Sequence, residues 1–112
     1  MSRRIEKVNG LIREELSQIL LKEVEFPKSV LVTITRVECL INLSDARIYI
    51  SAMPEENIDK VMEILEKDVY DIQQALNKRL NMRPVPKIIF KKEEKTEQAD
   101  RIEELLEELK KD

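Results

Sequence analysis

The chain has 112 residues and contains no histidine, no tryptophan, one glycine and one cysteine. Without histidine it has neither a Ser-His nor a Cys-His dyad, and Cys39 alone cannot form an internal disulfide or a four-cysteine zinc site. With Gly10 as its only glycine, it lacks a Walker loop, a dinucleotide-binding turn and a GxxG loop. These absences predict a protein that is not an enzyme and needs no metal or cofactor.

Long apolar runs are also missing. No stretch approaches the roughly 18–20 apolar residues that cross a bilayer, and the N-terminal segment turns polar too soon for a signal peptide. A single cysteine is typical of a reducing compartment. We therefore expect a small cytoplasmic protein with no membrane contact, and 112 residues suffice for one domain with an aliphatic core.

The apolar pattern predicts an α+β fold. Apolar residues recur every three or four positions from Arg3 to about Glu23 and again from Asn57 to Leu80, as in amphipathic helices. Residues 30–39, 46–51 and 87–90 are rich in β-branched residues and predict three strands. The helical pattern 57–80 fits either one long helix or two helices joined by a kink.

The first predicted strand changes phase part-way along. Val32 and Ile34 share one face, whereas Val37 and Cys39 fall on the other. Either the strand is locally buried on both faces, or a β-bulge near Thr35 and Arg36 resets the alternation. On the outward side of the hairpin we expect Thr33, Thr35, Arg47 and Tyr49.

Residues 93–112 differ from the rest. A polar stretch leads into RIEELLEELKKD, which predicts a C-terminal helix with leucines on one face and acids on the other. Those acids alternate with lysines and fit a solvated face better than a metal site. The predicted division is therefore a domain at 1–92 and a polar linker with an amphipathic helix at 93–112, docked or mobile.

Positive charge is concentrated late in the chain although the net charge is −3. Residues 77–92, NKRLNMRPVPKIIFKK, contain no acid. They cover a helix end, an elbow stiffened by Pro84 and Pro86, and a strand. A cationic segment of this kind fits phosphate binding, although the helix dipole and the protection of sheet edges also favour Lys and Arg at such places.

Several segments resemble, in order and spacing, the bacterial ribosome-binding factor A family. They are RIEKVNGLIREELSQIL, VTITRVE, NLSDARIYIS, RLNMRPVPKIIF and RIEELL. The resemblance implies a single KH-like domain of the second type, in the order α-β-β-α-α-β, lacking a GxxG loop and followed by the C-terminal helix. Family members commonly kink the central helices at Ala-x-Gly, whereas this chain has Asp68-Val69-Tyr70 there, so a kink should be shallower or displaced.

The resemblance also implies a function. Members are non-catalytic assembly factors that bind the small (30S) ribosomal subunit during late maturation and processing of 16S rRNA, and that matter for growth in the cold. We expect 16S rRNA and free 30S subunits or their precursors as partners, no DNA, and a monomer. The alternative is a protein-interaction or dimerisation module that uses the C-terminal helix.

Phosphate and shape recognition is favoured over base reading, because the chain has only two Phe and two Tyr for stacking. The predicted RNA-binding residues come from the first helix, the hairpin and the basic segment. They are Arg3, Arg4, Lys7, Arg36, Arg47, Lys78, Arg79, Arg83, Lys87, Lys91 and Lys92.

Overall fold

Two α-helices and three β-strands form the part of the chain that the structure, a computed structural model, describes, namely residues 3–93. A short 3-10 turn joins the second strand to the second helix. The elements are α1 (Arg3–Glu23), β1 (Leu31–Cys39), β2 (Asp45–Met53), the 3-10 turn (Glu55–Asn57), α2 (Ile58–Arg79) and β3 (Lys87–Lys92).

The strands form one sheet in the order β1-β2-β3. β1 and β2 are an antiparallel hairpin, and β3 lies parallel to β2. Two parallel neighbours need a crossover between their ends, and α2 supplies it. The described elements thus confirm an α+β domain with a three-stranded sheet.

The change of phase in β1 is a β-bulge, as the second interpretation predicted. Ile34 lies opposite Ile50 and Arg36 lies opposite Tyr49, so Thr35 is the additional residue. The extra residue reverses the alternation. Val37 therefore returns to the core, where it is buried, and Arg36 lies on the solvent side.

Both helices pack on the same face of the sheet. Their buried residues, among them Leu16 of α1 and Leu65 of α2, form one cluster with Ile48 and Phe90 of the strands. On the opposite face, none of the described elements covers Arg47 or Tyr49. The core is almost entirely aliphatic, which agrees with the composition, and its members are Ile12, Leu16, Ile19, Leu20, Val24, Ile34, Val37, Ala46, Ile48, Ile50, Ala52, Val61, Leu65, Ile72, Leu76, Leu80, Ile88 and Phe90.

The central helical region differs from the family-type order α-β-β-α-α-β. In the structure, the 3-10 turn is followed by one α-helix, Ile58–Arg79, that runs through Asp68–Tyr70 without a break. This segment contains neither glycine nor proline, so nothing in its backbone favours an interruption. Of the two alternatives that periodicity left open, the single long helix is the one found. The predicted C-terminal helix lies outside the described residues.

Gln73 connects α2 to the start of β3. Its side-chain oxygen accepts a hydrogen bond from the backbone N–H of Ile88 at 2.8 Å. Its side-chain nitrogen donates to the backbone oxygen of Pro86 at 3.1 Å and to Asn77 at 3.0 Å. One amide therefore pairs backbone groups that the sheet leaves unpaired, and it aligns β3 with the helix.

Replacing Gln73 should weaken the fold more than replacing its neighbour. Gln73→Leu leaves the Ile88 N–H and the Pro86 carbonyl without these partners, so we expect the free energy of unfolding to fall by about 1–3 kcal/mol. Gln74→Leu is the matched control, because Gln74 is exposed and the two residue types have similar helix propensity. Urea unfolding followed by circular dichroism measures both, and equal stabilities would show that the Gln73 contacts contribute nothing.

Candidate nucleic-acid interface

The uncovered side of the sheet gathers cations from three strands around one aromatic ring. Tyr49 on β2 is the register partner of Arg36 on β1 and of Lys91 on β3. Arg47 lies two residues before Tyr49, and alternation places it on the same face. We call Arg36, Arg47, Tyr49 and Lys91 the open sheet face.

The centre of this face is a shallow surface depression. Arg47, Tyr49, Lys91 and Lys92 line it, with a volume of about 420 Å³. The guanidinium carbon of Arg36 lies 3.9 Å from the centroid of the Tyr49 ring, which is the geometry of a cation–π contact. The depression has a cationic rim and an aromatic ring with Arg36 over one face, an arrangement that suits phosphate groups better than an inserted base.

Arg36 is held by carboxylates as well as by the ring. Its Nε donates to Glu93 at 3.1 Å, and its terminal nitrogen pairs with Glu38. Burial alone would lower the pKa of Arg36, but the hydrogen bond to Glu93 and the charges of Glu38 and Glu93 raise it overall. The Glu93 carboxylate also accepts from the Thr35 hydroxyl and is only 8% exposed. Arg36 is therefore a fixed, partly neutralised cation.

Arg47 and Lys91, in contrast, are exposed cations. Within residues 3–93 neither of them has a salt bridge or a side-chain hydrogen bond. Within the described residues, no ion pair would therefore have to break for these two to bind a phosphate. Of the predicted residues on this face, these two offer their full charge.

The basic residues at the end of α2 and in the elbow are divided between structural and open positions. Arg79 donates to Glu15 and to Gln18 of α1, both at 3.2 Å, and so braces the two helices. Arg83 donates to the backbone oxygens of Leu80 at 3.0 Å and Met82 at 2.6 Å, where the chain leaves the helix.

The remaining predicted RNA-binding residues are three lysines and the cations at the start of α1. Lys92 pairs with Asp59 at the edge of the sheet. Lys87 is exposed and shares a second depression with Arg83, whereas Lys78 is exposed at the end of α2. The exposed cations at the start of α1 are Arg3, Arg4 and Lys7.

The start of α1 lies beside the β1–β2 turn. The side-chain oxygen of Asn9 accepts a hydrogen bond from the backbone N–H of Cys39 at 2.8 Å, whereas Leu20 and Val24 lie against the beginning of β1. The helix therefore runs antiparallel to β1. Its first residues extend past the last residue of that strand, to the end of the sheet where Lys87 begins β3.

The structure thus separates the predicted residues into two open groups and a set engaged in the fold. One group is on the open sheet face, and the other surrounds the β1–β2 turn and the elbow. Arg36, Arg79 and Lys92 have carboxylate partners. Adjacency in residues 77–92 was therefore a poor guide to adjacency on the surface.

Two features of this interface were missed by sequence reasoning. Tyr49 was expected on the outward side of the hairpin, but its contact with Arg36 was not expected. That contact depends on the bulge, which places Arg36 opposite Tyr49. Glu93 directly follows the basic segment and was assigned to the linker, yet its backbone N–H donates to Ile50 at 2.9 Å and its side chain holds Arg36. No local sequence signal reveals that contact, because it spans 57 positions.

Other candidate chemistry is sparse among residues 3–93. Cys39 is a half-buried free thiol whose pKa is raised by burial, so it is a poor nucleophile. Within the described part of the chain, no three acidic, Cys or His side chains are grouped as a metal site would require. Nor is either described helix long and apolar enough to cross a membrane.

Comparison with known proteins places the chain in a family. The family model for ribosome-binding factor A matches residues 4–106. The chain belongs to the ribosome-binding factor A family. It is 39% identical to ribosome-binding factor A of Lactobacillus helveticus, over 99% of this chain and 93% of that protein. The protein of that name from Dictyoglomus thermophilum is 40% identical, over 97% of this chain and 92% of the relative.

Two solved structures and one fitted homology model of proteins named ribosome-binding factor A have a similar fold. A putative ribosome binding factor A from Thermotoga maritima matches with a TM-score of 0.66 at 27% identity, covering 81% of this chain and 88% of that one. The crystal structure from Thermus thermophilus matches with a TM-score of 0.69 at 22% identity, covering 79% and 93%. A homology model of the Thermus protein, fitted into a cryo-EM map of its 30S complex, matches with a TM-score of 0.58 at 22% identity, covering 82% and 93%.

Two arginines of the open sheet face should differ in their effect on stability. Arg36→Ala removes the cation that binds the nearly buried Glu93 carboxylate, so the free energy of unfolding should fall by about 1 kcal/mol, as for a partly exposed charged hydrogen bond. Arg47→Ala is the matched control and should unfold like the parent protein. Chemical denaturation of both variants tests this, and an unchanged Arg36→Ala protein would contradict the structural role of Arg36.

Proposed function

We propose that this protein is a non-catalytic assembly factor that binds the small ribosomal subunit and contacts its 16S rRNA through phosphates. The observation that carries the proposal is membership of the ribosome-binding factor A family along nearly the whole chain. The Thermus relative that was fitted into a map of a 30S complex supports the same partner. Late maturation of the subunit, rRNA processing, a contribution to growth in the cold and a cytoplasmic location belong to this proposal.

The proposed domain is KH-like, lacks a GxxG loop and comprises residues 1–92, with 93–112 as an appended segment. The order helix, hairpin, helix, strand supports it, as does the parallel pairing of β3 with β2. In KH domains the GxxG loop clamps the nucleic-acid backbone. Because Gly10 is the only glycine, other groups must hold the backbone here, and cationic side chains are the available ones.

The open sheet face is well suited to phosphates. Arg47 and Lys91 come from neighbouring strands, at positions fixed by the parallel register. Rigid presentation reduces the entropy that long basic side chains lose on binding. Arg36 and Lys92 flank them but are paired with carboxylates, so they contribute less.

An acidic protein needs such a surface to approach RNA. The net charge of −3 repels a phosphate polymer at long range. At contact distance, however, screening leaves only the nearest charges effective. Local cations therefore determine whether binding occurs. We propose that the protein engages rRNA as a monomer and does not need to bind DNA.

Binding to small subunits should weaken with salt in proportion to the phosphates contacted. With about five contacts, log affinity against log salt should have a slope near −4, from roughly 0.7–0.9 per contact. The double variant Arg47→Glu with Lys91→Glu should bind more weakly, and its slope should be smaller by about two. Co-sedimentation with purified small subunits at several potassium chloride concentrations measures both.

The matched control is Lys22→Glu with Lys67→Glu. It changes the net charge equally at exposed helical positions away from the open sheet face. It should lower affinity only slightly and change the slope far less than the double variant of the open sheet face does. A wild-type protein that does not sediment with small subunits, or binds them without salt dependence, would refute the proposed function.

A further inference from the structure

The β1–β2 turn, residues 40–44, displays apolar residues where turns usually carry polar ones. Ile41 is 87% exposed and Leu40 is 37% exposed. Turns favour Gly, Asn, Asp, Ser and Pro because those residues tolerate tight backbone geometry. Leu43 instead adopts φ = 58°, in the left-handed region that branched side chains rarely occupy. The turn thus has an unfavourable conformation and exposes an isoleucine at its tip.

Hydrogen bonds hold this turn in one shape. The Leu43 N–H donates to the Leu40 oxygen at 2.8 Å, and the Leu40 N–H donates to the Asp45 oxygen at 2.9 Å. The Asn42 side chain accepts from the Ser44 N–H at 3.1 Å and from its hydroxyl at 2.8 Å. Backbone strain that surrounding contacts enforce is concentrated at functional sites.

The turn is also tied to the third strand. The backbone N–H of Lys87 donates to the Ser44 oxygen at 3.0 Å. This contact fixes the position of Ile41 relative to the first residue of β3. A side chain fixed in advance loses little conformational freedom when it is buried by a partner.

Cations lie at the same end of the sheet as the exposed isoleucine. The first turn of α1 extends past the end of β1, since Asn9 contacts Cys39. Lys87 bonds to the turn through its backbone. The acids at this end are Glu6, Glu38 and Asp45, and Glu38 is paired with Arg36. The cations are Arg3, Arg4, Lys7 and Lys87, all exposed.

We propose that Ile41 is a wedge that inserts between stacked RNA bases, while the cations at this end of the sheet hold the phosphates on either side of the opened step. Proteins that deform nucleic acids use Leu, Ile or Met in this way, and the apolar contact offsets the cost of unstacking. A protein partner is the less suited occupant, because the exposed apolar surface is limited to Ile41 and part of Leu40 and lies at a cationic end of the sheet. This inference rests on the proposed rRNA binding and adds a second contact to the open sheet face.

Ile41→Ser is the test, with Leu21→Ser as its control. Leu21 is an equally exposed aliphatic residue, at 84%, and it lies near the opposite end of α1. Using the full chain and purified small subunits, we expect Ile41→Ser to bind roughly tenfold more weakly, since burial of an isoleucine is partly offset by unstacking. Leu21→Ser should bind like the wild type.

Acylation of RNA 2′-hydroxyls reports unstacking separately from affinity. With saturating wild-type protein, nucleotides next to the contact should become more reactive, and saturating Ile41→Ser should abolish that increase. A benzoylphenylalanine at position 41 should crosslink to rRNA.

The possible failures are distinguishable. If the wild-type protein does not bind small subunits at all, the proposed function fails. If binding is intact but Ile41→Ser matches the wild type in affinity and reactivity, the wedge is refuted. A crosslink from position 41 to a ribosomal protein, or equal losses for Ile41→Ser and Leu21→Ser, would also overturn it.

Discussion

The parallel pairing of β3 with β2 is the constraint on which the rest of the structure depends. It buries Ile88 and Phe90 in the core and, by the same alternation, places Lys91 on the opposite face beside Tyr49. Parallel neighbours cannot be joined by a tight turn, so the long helix α2 must cross over and cover the apolar side. Gln73 then completes the connection by pairing with backbone groups at the start of β3. A single register therefore sets both the core and the candidate interface.

The electrostatics of the domain follow from which cations the fold itself uses. Arg79 links the two helices, Arg83 pairs with carbonyl groups where α2 ends, and Arg36 binds Glu93 across the sheet. Arg47 and Lys91 remain available within the described part of the chain. An overall acidic protein can thus present cationic surfaces, because several carboxylates of the described residues, among them Glu38 and Asp59, are engaged in internal ion pairs. Net charge describes solubility here and says little about what the open sheet face can bind.

Much of the fold could be predicted from the sequence. The spans of α1 and β1 and the burial of Phe90 follow from local periodicity, which records the faces of helices and strands. The same periodicity showed a change of phase near Thr35 but did not decide between a bulge and a strand buried on both faces. The choice between one central helix and two could not be predicted by the same means, because an apolar stripe continues through a kink as readily as through a straight helix. The absence of a glycine near Val69 was the informative signal, and it agrees with the single helix that the structure shows.

The site was less predictable. Charge clustering in residues 77–92 identified the basic segment, but it could not separate Lys91, which is open, from Arg79, which is engaged with Glu15. Those partners are distant in sequence and meet only through tertiary packing. The exposed turn around Ile41 is not marked by any charge pattern, because its most exposed residue is apolar. Base reading through Tyr49 remains disfavoured for a structural reason, since Arg36 occupies one face of its ring.

The position of β3, late in the chain, has a consequence for synthesis. A ribosome that has produced only the hairpin and α2 has made a polypeptide whose sheet lacks its last strand, so its core is incomplete. The same unfinished polypeptide lacks Lys87 and Lys91, and hence part of both cationic surfaces. The last strand of the core and these two exposed lysines are therefore synthesised together.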